Sequence, residues 1–421
     1  MKIFKFGGAS IATPELVENL KNIVQSKNEK ELIVVISAKG KTTNALEKIV
    51  DAHMAGLKEV AQKLFLELKE DHLAYAHILL NSDSHEVFNQ LNSFFTEIEW
   101  ALAEEAGRSY NYYYDQIVCI GELLSTSIIS AYLNSQNIEN EWVDSRDLVR
   151  TNDVYRDAKV DWDTSEKLIL DKLSPILALN KIVIAQGFIG ATDENNSVTL
   201  GREGSDFSAS IYASILDAES VTIWKDVPAL LNADPKQFEE TVEIPEISYR
   251  EVIELAFYGA QVIHPKTIKP LQNKQIPLLV KSFLSPESAG TVIKQLDDFV
   301  NYPPLMVWKK DQVLIELSTL DFSFINEDNL ALIYSIFHKH RVKMNITQNA
   351  AIGFSTCVDD RSEKNLNLIQ DLSSLFKVKH NEEVELLCIR HYKEDLGKPF
   401  TEGRDILLSQ RSRHTIKYIL Q

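Results

Sequence analysis

The chain has 421 residues, too many for one hydrophobic core, and its composition, 44% hydrophobic and 25% charged, is ordinary for a soluble globular protein of two or three domains. A formal net charge of −17 argues against a nucleic-acid partner, which would ask for a basic surface, and obliges any site for an anion to supply its own cations. Three cysteines without metal-type spacing (Cys119, Cys357, Cys388), no apolar run read as long enough to cross a membrane, and an N-terminus without a signal pattern predict a cytoplasmic protein with no membrane contact. A functional Lys5 would leave no room for a removable leader.

In chain order, Lys2–Phe6 reads as a short apolar strand and Pro14–Gln25 as a helix. Leu32–Ser37 (LIVVIS) reads as a buried strand and Thr43–His53 as a second helix, an alternation that predicts a mostly parallel sheet between helices. From Ala52 to Ala106 the pattern is helical and charged, an insertion at the edge of the first domain, and Leu123–Leu133 is a further helix. Strands are expected at Ile182–Ala185, Val198–Leu200, Ser220–Trp224 and Pro277–Val280, with helices at Phe207–Leu216, Tyr249–Tyr258 and Lys266–Asn273. The NYPP stretch interrupts the periodicity near Phe299–Pro304 and sets a boundary between domains 1–298 and 305–421. Beyond it come strand Val313–Leu317, helix Asn329–His340, strands Val342–Ile346 and Ile352–Val358, helix Asn365–Leu375, and strands Val384–Ile389 and His414–Leu420, a ferredoxin-like order.

Several turns could cradle phosphate, because glycine lets backbone N–H groups approach an anion and a following helix start adds partial positive charge. KFGGAS places Lys5, Gly7 and Gly8 behind the first strand; SAKGKTTN follows LIVVIS with hydroxyls at Ser37, Thr42 and Thr43; TLGREGSDFSA carries Arg202 between glycines, with Ser205 or Asp206 able to cap the next helix. In WKDVPALLNADPK, Asp226 and Asp234 bracket an apolar loop, and YGAQVIHPK contains a helix stop at Gly259 and a structural histidine, His264. Taken singly, each stretch also fits a plain capped turn.

Taken in order, KFGGAS, SAKGKTTNAL, IGELLS, TLGREGSDFSA, WKDVPALLNADPK and FYGAQVIHPKT resemble the aspartate kinases of the amino-acid kinase superfamily, over essentially the whole chain. SFINEDNL and VKMNITQNAAIGFS resemble that family's C-terminal ACT regulatory region. The resemblance implies an amino-acid kinase fold with a ferredoxin-like ACT region. It also implies transfer of the ATP γ-phosphoryl group, with Mg²⁺, to the β-carboxylate of L-aspartate, giving 4-phospho-L-aspartate for lysine, threonine and methionine synthesis. By position it makes Lys5 and Asp206 catalytic and assigns the substrate to Ser37, Thr43, Glu122, Arg202 and Ser205. ATP falls to Lys5, Gly7, Gly8, Lys225, Asp226, Leu231, Lys236 and Gln261. A feedback amino acid, lysine or threonine, would meet Ser323, Phe324, Ile325, Asn345 and Gln348, and the chain would form a homodimer or higher homo-oligomer.

The chemistry agrees with that reading. A carboxylate with a pKa of about 3.9 is already a nucleophile at neutral pH. The obstacle is an anion attacking a polyanion, which positioning and charge neutralisation overcome. Glu122 for an ammonium and Arg202 for a carboxylate supply the two signs of a zwitterion clamp. The chain departs from the family at Ala9 (usually threonine), Glu203 (often glycine), Leu231 (commonly tyrosine), Lys236 (arginine) and Gln261 (often lysine), mostly on the nucleotide side. Two alternatives remain open at this point: another superfamily kinase, and a non-catalytic amino-acid-sensing subunit. The stretch after Lys379 is too short for a second ACT module unless Leu305–Trp308 lends a strand. The absence of a GxGxxG segment near the end predicts no fused homoserine dehydrogenase.

Overall fold

A computed structural model describes every residue except 28, 30, 83–85, 104, 261–262, 297–300, 322 and 394–396. In the first strand, β1 (Lys2–Phe6), side chains alternate between faces. Phe4 and Phe6 enter a large apolar core, and both pack on Trp224 with ring centroids 5.7 and 6.0 Å away. Lys5 points to the other face. The chain continues through α1 (Pro14–Lys27), β2 (Leu32–Ile36), α2 (Thr42–Met54), α3 (Lys58–Leu80), α4 (Val87–Ala103), α5 (Tyr110–Val118), α6 (Ile120–Ser135) and β3 (Asn140–Trp142). Then come α7 (Trp162–Ala178), β4 (Ile182–Gln186), the hairpin β5 (Ile189–Ala191) and β6 (Ser197–Thr199), α8 (Gly204–Ile215) and β7 (Ser220–Lys225). β8 (Glu246–Ser248), α9 (Tyr249–Phe257), α10 (Pro265–Lys274), β9 (Leu278–Ser282) and β10 (Thr291–Lys294) follow.

Eight of these strands form one sheet in the order β3-β4-β2-β1-β7-β9-β10-β8, parallel from β3 to β9. β1 is central: the chain leaves it toward β2 on one side and leaves β7 toward β9 on the other. This reversal opens a crevice at the carboxyl ends of β1 and β7, where open α/β sheets bind ligands.

Several elements depart from the sequence expectations: β3, α5, α7, β5, β8 and β10 were not anticipated. The helical stretch Tyr110–Ser135 is, by length and composition, apolar enough to cross a membrane, contrary to the expectation, but 94% of its apolar window is buried inside the fold, which makes it a core helix pair. The insertion is more than an edge ornament. From α3, Tyr75 donates to Ile11 O at 2.6 Å, His72 meets Thr42 Oγ1 at 3.2 Å and Asp71 pairs with Lys39 at 2.6 Å, so α3 buttresses both N-terminal glycine turns.

The residues fall into two compact units: Met1–Leu230 with Ile244–Ile253 and Ile263–Leu296, and Leu231–Glu243 with Glu254–Val262 and Asp297–Gln421. The second therefore takes two short segments that the expected boundary assigned to the first domain. Its sheet has six antiparallel strands in the order β12-β13-β11-β14-β16-β15, namely β11 (Leu305–Ser318), β12 (Met344–Asn349), β13 (Gly353–Asp359), β14 (Lys377–Arg390), β15 (Ile406–Arg411) and β16 (Thr415–Leu420). α11 (Glu327–His340) and α12 (Ser362–Ser373) close a core with β11 and β13, the expected ferredoxin-like half. Leu305–Trp308 does lend a strand, pairing with Leu387–Arg390 of β14; with β15, β16 and the single-turn α13 (Lys398–Thr401) it builds an abbreviated second half fused into the same sheet.

Candidate active site

The turns after β1 and β2 interlock backbone to backbone. Gly40 N donates to Gly8 O at 2.9 Å, and a Cβ on Gly8 would lie 2.2 Å from Ala38 O. Gly121 lets α6 approach the same turn, since its Cβ would stand 3.1 Å from both Ala38 Cβ and Leu46 Cδ1. This contact brings Glu122 beneath the second glycine turn. On the other side, α8 packs across β1, and the residue at its N-cap is Glu203, not Ser205 or Asp206. Glu203 is left-handed (φ 55°), a conformation glycine takes freely, and its Oε2 accepts the His264 N–H at 2.8 Å. Its charge is thereby partly answered. Likewise α2 is preceded by Lys41 with no side-chain cap, and Thr42 and Thr43 occupy its first turn.

A cavity of about 520 Å³ opens between these elements. It brings together Lys5, Gly8, Ser37, Thr43, Glu122, Arg202, Ser205 and Asp206 from the expected set. Lys5 Nζ lies 2.7 Å from Asp206 Oδ1, with 12% and 6% of the two side chains exposed. Gly7 stands beside that ammonium, the position of a Cβ falling 3.9 Å from Lys5 Nζ. Glu122 is 2% exposed; Oε1 accepts the Ala38 N–H at 3.3 Å while Oε2 has no partner. Burial pushes its pKa up to about 8, against the opposing pull of the Ala38 N–H and the Lys5 charge. Arg202 is exposed at the wall of the cavity.

Lys225 and Asp226 lie outside the cavity lining, at and just beyond the carboxyl end of β7 beside β1. Leu231 and Lys236 belong to the second unit, where Leu231 bridges Glu243 and Lys236 N donates to Asp234 Oδ1 at 2.9 Å. Gln261 lies outside the described residues. His264 is the structural residue expected, capping α10 by accepting from Lys266 N at 3.1 Å. Of the proposed effector contacts, Ser323, Phe324 and Gln348 are exposed and Ile325 is in the core. Asn345 is buried, donating to Gln312 Oε1 at 2.8 Å and Asp359 Oδ1 at 2.7 Å.

The cavity also contains Tyr114, Arg156 and Phe188, which sequence reasoning missed, and Thr199 and Gly201, which lie in the TLGREGSDFSA stretch but were given no role of their own. Fully buried Asp115 organises several of them. It accepts Thr199 N at 2.9 Å, Thr199 Oγ1 at 2.7 Å and Arg156 N at 2.9 Å, and burial raises its pKa to about 6 despite those donors. The available signal was a lone acid in the aromatic run YNYYYDQIV, since a buried carboxylate requires donors. Among the described residues no three His, Cys, Asp or Glu side chains gather as a metal cage. One buried carboxylate, Asp206, facing a crevice suits a Mg²⁺ ion carried mainly by phosphate oxygens and water.

A parallel sheet whose reversal point carries two glycine turns, a buried lysine and a helix N-terminus defines a protein that handles phosphate groups. The amino acid kinase family model matches residues 1–282, and the chain belongs to that family. Bifunctional aspartokinase/homoserine dehydrogenase 2 of Arabidopsis thaliana is 31% identical over 345 residues, covering 79% of this chain but 35% of that protein, so the chain spans about a third of that relative. Lysine-sensitive aspartokinase 3 of Escherichia coli strain K12 is 28% identical over 420 residues, covering 96% of this chain and 89% of that protein. The crystal structure of E. coli aspartokinase III with aspartate and ADP, in the R-state, superposes with a TM-score of 0.82 at 25% identity, covering 100% of this chain and 96% of that one.

Proposed function

We propose that this chain is an aspartate kinase, transferring the γ-phosphoryl group of ATP to the β-carboxylate of L-aspartate in the cytoplasm, at the entry to lysine, threonine and methionine synthesis. The observation that carries the proposal is the convergence, in one cavity, of a buried Lys5–Asp206 pair, a buried Glu122 with a free oxygen, and Arg202. The whole-length similarity to an aspartokinase supports it.

The residues divide the work by charge. Glu122 receives the substrate ammonium, Arg202 grips the α-carboxylate, and Ser37, Thr43 and Ser205 supply hydrogen bonds. The β-carboxylate then faces the phosphoryl donor held over Gly7 and Gly8, with Lys225 and Asp226 at the neighbouring strand end. No side chain need remove a proton. Lys5 neutralises charge on the oxygens in flight, held in place by Asp206. Mg²⁺ would arrive with the nucleotide and offset phosphate charge. The second unit acts as the regulatory region for lysine or threonine, and the chain assembles at least as a homodimer.

The test is ATP-dependent formation of an acyl phosphate from L-aspartate, trapped as the hydroxamate, with L-glutamate as a control. Product from aspartate alone supports the proposal. No product from folded protein supplied with Mg²⁺ would overturn it in favour of a sensing subunit.

A further inference from the structure

The cavity contains a second arginine that the proposed machinery does not use. Arg156 lies in a turn, Tyr155–Ala158, stitched to the strand end that leads to Arg202. Ala158 N donates to Thr199 O at 3.2 Å, and Asp115 holds the backbone N–H groups of Arg156 and Thr199 on one carboxylate oxygen. Gly201 presses on the turn so closely that a Cβ would come 3.1 Å from Arg156 O. Arg156 and Arg202 therefore belong to two turns held together by a buried acid, and both line the same cavity.

The Arg156 side chain lies over two tyrosine rings. Its guanidinium lies 4.1 Å from the ring centre of Tyr114 and 5.5 Å from that of Tyr110. Its nearest acid is Glu47 at 3.7 Å, with 39% and 41% of the two side chains exposed, a contact too loose and too wet to commit the charge. Of the cavity's other charges, Lys5 is engaged by Asp206 and Glu203 by the His264 N–H, while Arg202 stands exposed at the wall and Glu122 keeps Oε2 without a partner. A guanidinium held by aromatic faces and aimed into a site for a dicarboxylic amino acid is preorganised for a planar, two-pronged contact with carboxylate.

We propose that Arg156 is a substrate-binding residue that clamps the α-carboxylate of aspartate together with Arg202. This rests on the aspartate kinase reading. Arg202, on an exposed turn, closes on the carboxylate that the stacked Arg156 positions. The clamp selects substrates that keep a carboxylate beside the ammonium.

The test compares wild type with Arg156→Gly and Arg156→Lys in the full chain. Glycine suits the backbone here, because Arg156 sits at φ 70°. KM and kcat for L-aspartate are measured, with the inhibition constant of 3-aminopropanoate, which is aspartate without its α-carboxylate. The expected result for Arg156→Gly is a rise in aspartate KM of about 10- to 100-fold, kcat within about threefold, and an unchanged inhibition constant. Arg156→Lys recovers only part of the loss, since an ammonium lacks the fork. An equal weakening of both ligands, or a fall in kcat at constant KM, would mean a merely structural role and overturns the proposal, as does an unaltered KM. If 3-aminopropanoate proves too weak to measure, the KM-against-kcat split decides. Wild type inactive on aspartate would instead defeat the functional reading itself.

Discussion

Lys5 is a mostly enclosed cation and Glu122 a buried acid, and each makes its own prediction. Removing Lys5 leaves Asp206 without its cation, a defect that typically costs about 3–5 kcal/mol when the remaining charge stays buried. Lys5→Ala is therefore expected to lower turnover by orders of magnitude and to melt earlier while keeping its circular dichroism. Lys5→Arg keeps the charge and separates the two effects: its stability recovers, but turnover stays low because a rigid fork replaces a compact ammonium. Near-normal turnover in either variant would remove Lys5 from the chemistry. Glu122 has a pKa of about 8 in the folded chain against an ordinary 4.5, so it is largely neutral at pH 7 in the absence of ligand. Its contribution to stability is full below about 4.5 and is lost as pH rises through 8; Asp115, raised to about 6, adds to the lower part of that fall. The ligand-free protein should therefore lose melting temperature between pH 5 and 8.5, less so in Glu122→Gln. Because an ammonium prefers the ionised form, aspartate KM should drop over the same interval in wild type and stay high and flat in Glu122→Gln. A wild-type KM independent of pH would count against the ammonium contact.

At the scale of elements, the site depends on two turns that share one space. Gly8 faces the backbone oxygen of Ala38, which unlike a flexible side-chain end cannot swing away. Gly8→Ala should cost about 1–3 kcal/mol as overpacking, read as a lower urea midpoint with unchanged slope, and should reduce activity more than that loss alone explains. Normal activity in a destabilised variant would separate the turn from phosphate binding. These turns were legible in the sequence because strand, glycine and helix start are local signals, and so were β1, β2, β7, α1 and α2. α5 was not, because the four tyrosines of YNYYYDQIV, each apolar in body and polar at the tip, blur the helical period. α7 was missed although Asp161 caps it, accepting from Thr164 N at 3.2 Å; charges and an internal Pro175 blurred its period. The expected caps of α8 failed for a different reason: Glu203 holds a left-handed backbone one residue before the helix, which leaves Ser205 and Asp206 in the first turn. Arg156 was illegible because Asp115 recruits it from 41 residues away, and such long-range polar burial leaves no periodic trace; Thr199 stood in the legible TLGREGSDFSA stretch, but its tie to Asp115, 84 residues away, did not show.

At the scale of the whole molecule, a net charge of −17 sets the terms for any effector as it does for the substrate. The proposed effector segment contains exposed Ser323 and Phe324 between the acids Asp321, Glu327 and Asp328. Ser323 N is turned toward Asp321, donating to its Oδ1 at 3.0 Å. Acids around this turn favour lysine, which brings an extra ammonium, over threonine, which brings only a hydroxyl. Lysine is therefore expected to be the stronger inhibitor, acting by raising aspartate KM. The coupling is reciprocal by thermodynamic necessity: whatever factor lysine imposes on aspartate affinity, aspartate imposes on lysine affinity. A factor of about 5–150 is the usual range. It cannot exceed the ratio of lysine affinities for the two states of the protein. Titration calorimetry of lysine with and without saturating aspartate, set beside titration of aspartate with and without lysine, measures both arms. Equal factors, with threonine weaker, support lysine control through the second unit. A stronger effect of threonine would overturn the preference for lysine, and no effect of either amino acid would remove the regulatory role and leave the second unit structural.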